Sequence, residues 1–326
     1  MAESGLVIVD KPSGMTSHDV VARVRRLAGT RRVGHAGTLD PMATGVLVVG
    51  VEKATRLLGH LTLTEKVYET TIRLGQSTST DDAEGEPTGT ALRPASEVTR
   101  AALDTEIAKL TGEILQVPSS VSAIKVNGQR AYKLTRAGEA PELAARPVTV
   151  YEFLVLGVSK AGDFLDVDAR VRCSSGTYIR ALARDLGTAL GTGGHLTALR
   201  RTAVGPYDIA MAHTLEDLEN QDLPWVIPLA VAAAAAFPRV DLTADDARRL
   251  AQGARLPVPP DQPHGDQPHG DPPPALRELN AVPDRSDVPL AAFDPDGTLV
   301  ALVTVEDGRL RSLAVFVDAA AKSRDA

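Results

Sequence analysis

The chain contains very few cysteine and aromatic residues. Its 326 residues include a single cysteine, Cys173, and aromatic side chains make up only 3% of the sequence. One cysteine excludes a disulfide framework and a cysteine-based zinc cluster, so we expect a reduced, buried thiol. Because aromatic rings are scarce, the 43% of hydrophobic residues must build a mainly aliphatic core.

Long apolar runs are also missing. No stretch reaches the roughly 18 consecutive apolar residues that read as a membrane-spanning helix, and the alanine-rich segment 229–237 is too short. The first residues do not show the basic region and apolar core of a secretory signal. These absences predict a cytoplasmic protein without membrane association.

The sequence has no overall excess of basic charge. Its net charge is −7, but residues 1–230 carry 25 basic and 27 acidic side chains, whereas residues 231–326 carry 10 and 15. In the first part the cations are clustered, with five arginines in residues 23–32 and four Lys or Arg residues in 125–136. Such clusters can bind phosphate backbones locally, although solvated helix faces have the same composition.

Apolar patterns in the first 230 residues predict strands that interleave with helices. We predict strands at 5–10, 46–51, 68–74, 148–156 and 164–172. Helices are predicted after an N-cap at Ser17, at 52–61, at 96–110 opened by Ser96, and at 177–190. Because the elements lack a regular β-α-β period, we predict a mixed α+β domain over residues 1–230.

Residues 231–326 are predicted to form a small β-rich domain. A helix at 244–252 precedes short strands at 290–293, 299–305 and 310–317. Between them, the insert 258–288 contains a directly repeated DQPHG motif and a run of prolines. This composition cannot build a core and predicts disorder, which disfavours a metal site on its histidines and aspartates.

One segment concentrates turn-forming residues around a single carboxylate. Residues 34–45 read GHAGTLDPMATG, which places Asp40 between Gly37 and Gly45 and directly before Pro41. A backbone fixed in this way presents a side chain rather than burying it. For an isolated Asp-Pro, the alternative is a turn aspartate that caps its own backbone. A phosphate-binding loop is excluded because no Gly-Lys-Ser/Thr follows and a strand is predicted where the helix should begin.

Three other segments place polar or aromatic side chains at the ends of predicted elements, and each alone is a weak signal: KPSGMTS at 11–17, KVY at 66–68 and CSSGTYIR at 173–180. Taken together and in order, the chain resembles the TruB family of tRNA pseudouridine synthases. The similar segments span residues 5 to about 210 and also include RRVGHAGTLDPMATGVLVVG, TDDAEGE, QVPSSVSAIKVNGQRAY and HLTALRRTAVG. Met42 departs from the leucine of many members and conserves the side-chain volume.

The resemblance implies an isomerase that converts uridine 55 in the T-loop of tRNA to its C-linked isomer. The N-glycosidic bond breaks, the base turns, and C5 joins the ribose, so the reaction needs no cofactor and no metal. The fold implied is a mixed-sheet pseudouridine synthase catalytic domain followed by a PUA-like C-terminal domain. The expected partner is the tRNA T-stem-loop, and the enzyme is expected to act as a monomer without an obligate protein partner.

The resemblance also assigns catalytic residues. Asp40 matches the catalytic aspartate, and Arg180 matches the arginine that pairs with it, which would keep Asp40 ionised. Tyr68 matches the tyrosine that stacks on the target base and is placed for proton transfer at C5.

Further residues are expected to bind the RNA. Because a uridine in the folded T-loop must be extracted, His35 matches the residue that occupies the vacated space. Tyr178 and Leu199 match walls of the pocket, and Asp82 matches a loop acid near the flipped nucleotides. Residues 119–146 match a mobile arm that closes over the stem-loop. Contacts to the RNA backbone are expected from Lys11, Arg32 and Arg201.

Two other functions remain open at this point. Asp40 and Asp82 could serve a hydrolase that cleaves a glycosidic bond with two carboxylates, in which case free uracil would accumulate. A non-catalytic tRNA-binding or remodelling module is the other alternative, although Asp40, Tyr68 and Arg180 are all present in the sequence.

Overall fold

The computed structural model describes residues 3–89, 91–120, 125–126, 129–130, 143–220, 226–259 and 289–317. Most of the predicted arm 119–146, and nearly all of the predicted insert 258–288, lie outside these residues.

Strands and helices alternate irregularly along the chain, which confirms the mixed α+β prediction. In chain order the strands are β1 (Gly5–Lys11), β2 (Val33–Ala36), β3 (Thr44–Val51), β4 (Lys66–Leu74), β5 (Ser77–Thr78), β6 (Pro87–Thr88), β7 (Gly112–Gln116), β8 (Lys125–Val126), β9 (Gln129–Arg130), β10 (Arg146–Ala161), β11 (Phe164–Cys173), β12 (Gly194–Val204), β13 (Tyr207–Asp208), β14 (Ile227–Pro228), β15 (Arg239–Asp241), β16 (Leu256–Pro257), β17 (Leu290–Phe293), β18 (Leu299–Glu306) and β19 (Arg309–Val315).

The α-helices are α1 (Ser17–Ala28), α2 (Leu58–Leu61), α3 (Arg100–Lys109), α4 (Ile179–Ala189), α5 (Leu215–Asn220), α6 (Leu229–Ala236) and α7 (Ala244–Ala251). Short 3₁₀ turns occupy Glu52–Arg56, Ala95–Glu97 and Ile209–Met211. Within the described ranges, every helix is too short or too polar to cross a lipid bilayer.

One large mixed sheet organises the first two thirds of the chain. Its strands follow the order β14-β1-β3-β12-β4-β11-β10-β7, with β2 added to β3 and β13 added to β12. Strands β3 and β12 pair in parallel over two residues each, Thr44 with Arg200 and Gly45 with Arg201. The neighbours of this pair, β1 and β4, run antiparallel to it.

The centre of this sheet is buried on both faces, which explains the continuous apolar runs of β1 and β3. Along these strands, alternate residues enter two different cores. Leu6, Ile8 and Val46 face one core with α2, whereas Val7 and Leu47 face the other, which is covered by α1. On the neighbouring strands β4 and β12, the amphipathic helix α4 covers one face and buries Leu182 and Leu186 among others.

The second sheet has the order β15-β17-β18-β19-β16 and is flanked by α7. Phe293, Leu299 and Phe316 pack in the same apolar cluster as Leu6 and Ile8 of β1. The Arg56 guanidinium also donates a hydrogen bond to the Val315 carbonyl. The two sheets therefore share one continuous core.

Two predicted N-caps, Ser17 and Ser96, are wrong. Thr16 rather than Ser17 caps α1, because its side chain accepts a hydrogen bond from Asp19 N, and the Asp19 carboxylate accepts one from Thr16 N. The predicted helix 96–110 is divided: Ser96 lies in a 3₁₀ turn, Val98 is extended, and Thr99 caps α3. The predicted helix 52–61 is likewise a 3₁₀ turn followed by the single turn α2.

Gly45 lies where β3 meets β12, and this contact requires glycine. Its φ is +97°, and a Cβ atom at this position would lie 2.1 Å from the Arg201 carbonyl oxygen. The backbones of the two strands can therefore approach only if residue 45 has no side chain.

We expect Gly45→Ala to lower the free energy of unfolding by about 3 kcal/mol, since it adds a backbone clash to an unfavourable φ. Gly253→Ala is the matched control, because Gly253 has a φ of +89° and no atom within 4 Å of its Cβ position. That control should lose only about 1 kcal/mol. Urea unfolding of both variants measures the difference, and equal losses would contradict the clash.

Candidate active site

A short loop between β2 and β3 holds Asp40 at the edge of the core. Leu39 and Ala43 on either side of it are buried in the cluster that also contains Tyr68. The buried Ser17 hydroxyl donates to Leu39 O at 3.1 Å and accepts from Leu39 N at 2.9 Å. Gly14 N donates to Pro41 O at 2.8 Å. These bonds fix the backbone on both sides of Asp40 while its side chain remains 37% exposed.

Arg180 connects Asp40 to a second carboxylate. Its Nε lies 3.0 Å from Asp40 Oδ2, and its Nη1 lies 3.3 Å from Asp82 Oδ2. Nη1 also donates to the Thr80 carbonyl at 2.8 Å. The side chains of Arg180 and Asp82 are each only 4% exposed. Asp40 is thus the accessible end of a buried Asp-Arg-Asp arrangement.

The first turn of α4 fixes Arg180. The helix begins after Tyr178, two residues later than predicted, and the Tyr178 side chain is half-buried. Gln116 at the end of β7 holds this turn, because its Oε1 accepts from Tyr178 N at 2.8 Å and its Nε2 donates to Tyr178 O at 3.0 Å. Sequence reasoning missed Gln116, whose only signal is its place in the QVPSS segment that resembles the family.

A second ion pair supports the loop that carries Asp82. Asp81 has a φ of +60°, which is unusual for a residue with a side chain, and its Oδ2 lies 3.3 Å from Arg184 Nη1. Burial raises the pKa of the Asp81 carboxyl, and Arg184 acts against this shift. Arg184 also donates to the Val117 carbonyl at 2.7 Å, so it ties this loop to the end of β7. Neither Asp81 nor Arg184 was predicted from the sequence to take part in the site.

Tyr68 and Leu199 lie in the same apolar cluster as Leu39 and Ala43. They are 9% and 8% exposed, respectively. Burial raises the pKa of the Tyr68 phenol, while the positive charge of Arg201 acts in the opposite direction. The net shift is upward, so the phenol is protonated at neutral pH.

Two residues expected to touch RNA backbone, Lys11 and Arg201, are directed into the protein in this structure. Lys11 is 0% and Arg201 1% exposed. Lys11 Nζ donates to the carbonyls of Pro12, Met15 and Pro41 at 2.8, 2.7 and 3.2 Å. Burial, assisted by the nearby Arg201, lowers the pKa of Lys11 to about 8. The Lys11 ammonium group therefore stabilises both the loop that precedes α1 and the loop of Asp40 by hydrogen bonds to their carbonyls.

Arg32 differs from these buried cations. Its side chain is 76% exposed, and its Nη1 lies 3.6 Å from Glu52 Oε2. This geometry leaves the guanidinium accessible to a phosphate group.

His35 on β2 is half-buried beside the Asp40 loop. Its ring meets that of His18 edge to face, with 5.5 Å between the ring centroids. Burial lowers the pKa of His35, and the neighbouring His18 acts in the same direction. Among the residues that the structure covers, no group of three or more His, Cys, Asp or Glu side chains is arranged to hold a metal ion.

Family models match most of the described chain. Residues 25–179 match the N-terminal domain of TruB family pseudouridylate synthases. Residues 180–226 match the C-terminal domain of tRNA pseudouridylate synthase B, and residues 277–317 match the C-terminal region of tRNA pseudouridine synthase II.

Curated bacterial relatives are similar over nearly their full length. A tRNA pseudouridine synthase B from Thermobifida fusca is 57% identical over 316 residues, which cover 96% of this chain and 98% of the relative. Another from Streptomyces coelicolor is 58% identical and covers 96% and 97%. Among solved structures, a chain of a Cbf5-Nop10-Gar1 complex is 25% identical with a TM-score of 0.68, covering 97% of this chain and 85% of that chain.

We expect the His35 pKa in the free protein to lie below 6.5, because the buried imidazole is easier to keep neutral than charged. Since the unfolded chain then binds a proton before the folded one, the contribution of His35 to stability should be lost as the pH falls below 6.5. NMR titration of the histidine rings measures this pKa, and His35→Gln assigns the resonance. A His35 pKa at or above 6.5 would contradict the burial argument.

Proposed function

This chain belongs to the TruB family of tRNA pseudouridine synthases, and from that membership we propose that it isomerises uridine 55 in the T-loop of tRNA. The enzyme is an isomerase, and its tRNA substrate makes the cytoplasm its expected location. The observation that carries the proposal is the ion pair between Asp40 and Arg180, which holds a carboxylate at an accessible position beside a buried tyrosine.

Asp40 supplies the carboxylate on which the rearrangement depends. Arg180 is shared with the buried Asp82, so its guanidinium cannot turn away from Asp40 without leaving a buried charge unpaired. The oriented carboxylate is available either to attack the nucleotide or to stabilise positive charge on the ribose as the bond from C1′ to N1 breaks. The base then turns, C5 bonds to C1′, the proton on C5 leaves, and N1, which has lost its bond to the ribose, takes up a proton.

Tyr68 is the group that faces the base during this turn. Its ring lies in the same cluster as Leu199, so both offer an apolar surface against which a uracil ring can stack. Because its phenol is protonated at neutral pH, Tyr68 can donate a hydrogen bond to the bound uracil, and it is not a deprotonated general base in the resting site. Its place in the family pattern assigns it to the proton transfer at C5.

The remaining residues bind the flipped nucleotide and its surroundings. His35 fills the space left in the T-loop, and its neutral ring can stack without a desolvation penalty. Tyr178 closes one side of the pocket, and Arg32 contacts the phosphate backbone. Residues 119–146 act as the arm over the stem-loop. Residues 1–230 form the catalytic domain and residues 231–326 the PUA-like domain, so a monomer carries the whole site.

The first test is tritium release from tRNA labelled at uridine C5, with wild type and Asp40→Asn compared without added metal. Wild type should release tritium, whereas Asp40→Asn should be slower by about 10³-fold or more, because the amide supplies no charge. Binding of tRNA by Asp40→Asn should stay within about threefold of wild type.

Each other result has a distinct meaning. Free uracil would indicate a hydrolase, and tight tRNA binding without release by wild type would indicate a binding module. A tRNA with cytidine in place of uridine 55 is the control for position, and release from that tRNA would show that another uridine is modified.

A second test concerns Asp82. We expect Asp82→Asn to slow single turnover by roughly 10- to 100-fold, because Arg180 loses the buried charge that orients it toward Asp40. Asp166→Asn is the control, since Asp166 is a part-buried carboxylate that pairs with Arg73 at 2.7 Å and, within the described contacts, bonds neither Arg180 nor Arg184. Equal rates for wild type and Asp82→Asn would show that the Asp82 charge is not needed to orient Arg180.

A further inference from the structure

Arg201 lies in strand β12 directly between two catalytic elements. On one side its backbone pairs with Gly45, at the end of the Asp40 loop. On the other side it is the register partner of Tyr68 in β4. Cross-strand partners share a face of the sheet, so the side chains of Arg201 and Tyr68 lie together.

The guanidinium of Arg201 binds the chain on both sides of Asp40 and lies beside Tyr68. Nε donates to Val46 O at 2.8 Å, and Nη2 donates to Gly37 O at 3.0 Å, so its two bonds span the loop that contains Asp40. Because Tyr68 is its register partner on β4, the guanidinium also lies beside the Tyr68 side chain, and its charge acts on the phenol. A planar guanidinium has its donors in a fixed fork, so it holds the two loop carbonyls in a fixed place beside Tyr68.

The surroundings of Arg201 do not favour a positive charge. Its side chain is 1% exposed, and it makes no ion pair within the part of the chain that the structure covers. Lys11 and Lys66 lie close enough for its charge to help lower their pKa values to about 8. An apolar side chain would avoid both the desolvation cost and this repulsion. The specific hydrogen bonds are thus what a cation contributes at this position.

We propose that Arg201 is a positioning residue that fixes the Tyr68 side chain and the Asp40 loop relative to each other. This inference rests on the proposed roles of Asp40 and Tyr68. It replaces the expectation that Arg201 contacts RNA backbone, for which the side chain is too deeply buried.

The test compares Arg201→Met and Arg201→Lys with Arg200→Met. Arg200 is the matched control, since it is the adjacent residue of β12 and its side chain pairs with Asp10 at 2.7 Å and donates to the Thr44 hydroxyl at 3.3 Å. Within the described contacts, its side chain does not bond residues 37–43 or Tyr68. We measure the single-turnover rate at saturating tRNA, the tRNA dissociation constant and the thermal unfolding midpoint of each variant. Rates are compared at a temperature at which every variant is folded.

Arg201→Met should turn over about 100-fold more slowly than wild type, since a shift of the loop or of Tyr68 by a fraction of an ångström is costly. The tRNA dissociation constant of Arg201→Met should stay within about threefold of wild type. For Arg200→Met, the single-turnover rate and the tRNA dissociation constant should both stay within that range. Arg201→Lys should lie between wild type and Arg201→Met, because one ammonium group cannot reproduce the fork.

A double variant separates positioning from general stability. If Arg201 acts in part through the Tyr68 hydroxyl, combining Arg201→Met with Tyr68→Phe should give a rate well above the product of the two single effects. Strictly multiplicative effects, or a wild-type rate for folded Arg201→Met with weakened tRNA binding, would overturn the inference. Tritium release by wild type in the same assay separates these outcomes from failure of the proposed function.

Discussion

The sharing of one guanidinium by two carboxylates is the constraint on which the site depends. Arg180 can serve Asp40 and Asp82 only if the start of α4, the loop before Asp82 and the loop of Asp40 converge within hydrogen-bonding distance. Each of these segments has its own support: Gln116 holds the first turn of α4, and Arg184 holds Asp81 in a left-handed conformation. The left-handed backbone of Asp81 is unfavourable by itself, and it is tolerated because the surrounding contacts fix it.

The other side of the site uses buried cations for a different purpose. Lys11 and Arg201 bind carbonyl oxygens of the Asp40 loop rather than carboxylates. A loop with glycine and proline makes few hydrogen bonds of its own, and cationic donors are stronger than neutral ones. The backbone around Asp40 is therefore held by positively charged donors, while the Asp40 side chain pairs with Arg180 and remains partly exposed.

The fold class, the central strands and the residues of the Asp-Arg pair could all be predicted from the sequence, because apolar periodicity and the order of the motifs are local signals. The burial of Lys11 and Arg201 could not, since composition alone places cations at the surface. Gln116 and Arg184 could not be predicted as site residues, because their partners are distant in sequence. Gln116 binds Tyr178, 62 positions away, and Arg184 binds Asp81, 103 positions away. Thr16 and Ser17 could not be distinguished from the sequence because either hydroxyl can cap a helix; in the structure Thr16 accepts from Asp19 N, while the Ser17 hydroxyl bonds Leu39.

The parallel pair of β3 and β12 also has a bearing on when the enzyme becomes active during its synthesis. Arg201 binds carbonyls 155 and 164 positions earlier in the chain, and Arg200 binds Asp10 across 190 positions. Contacts of such long range form late, after the loops between them have closed. A growing chain thus has no site until β12 has left the ribosome and inserted between β3 and β4. Catalytic competence is in this sense a property of the completed sheet, and no shorter folding unit possesses it.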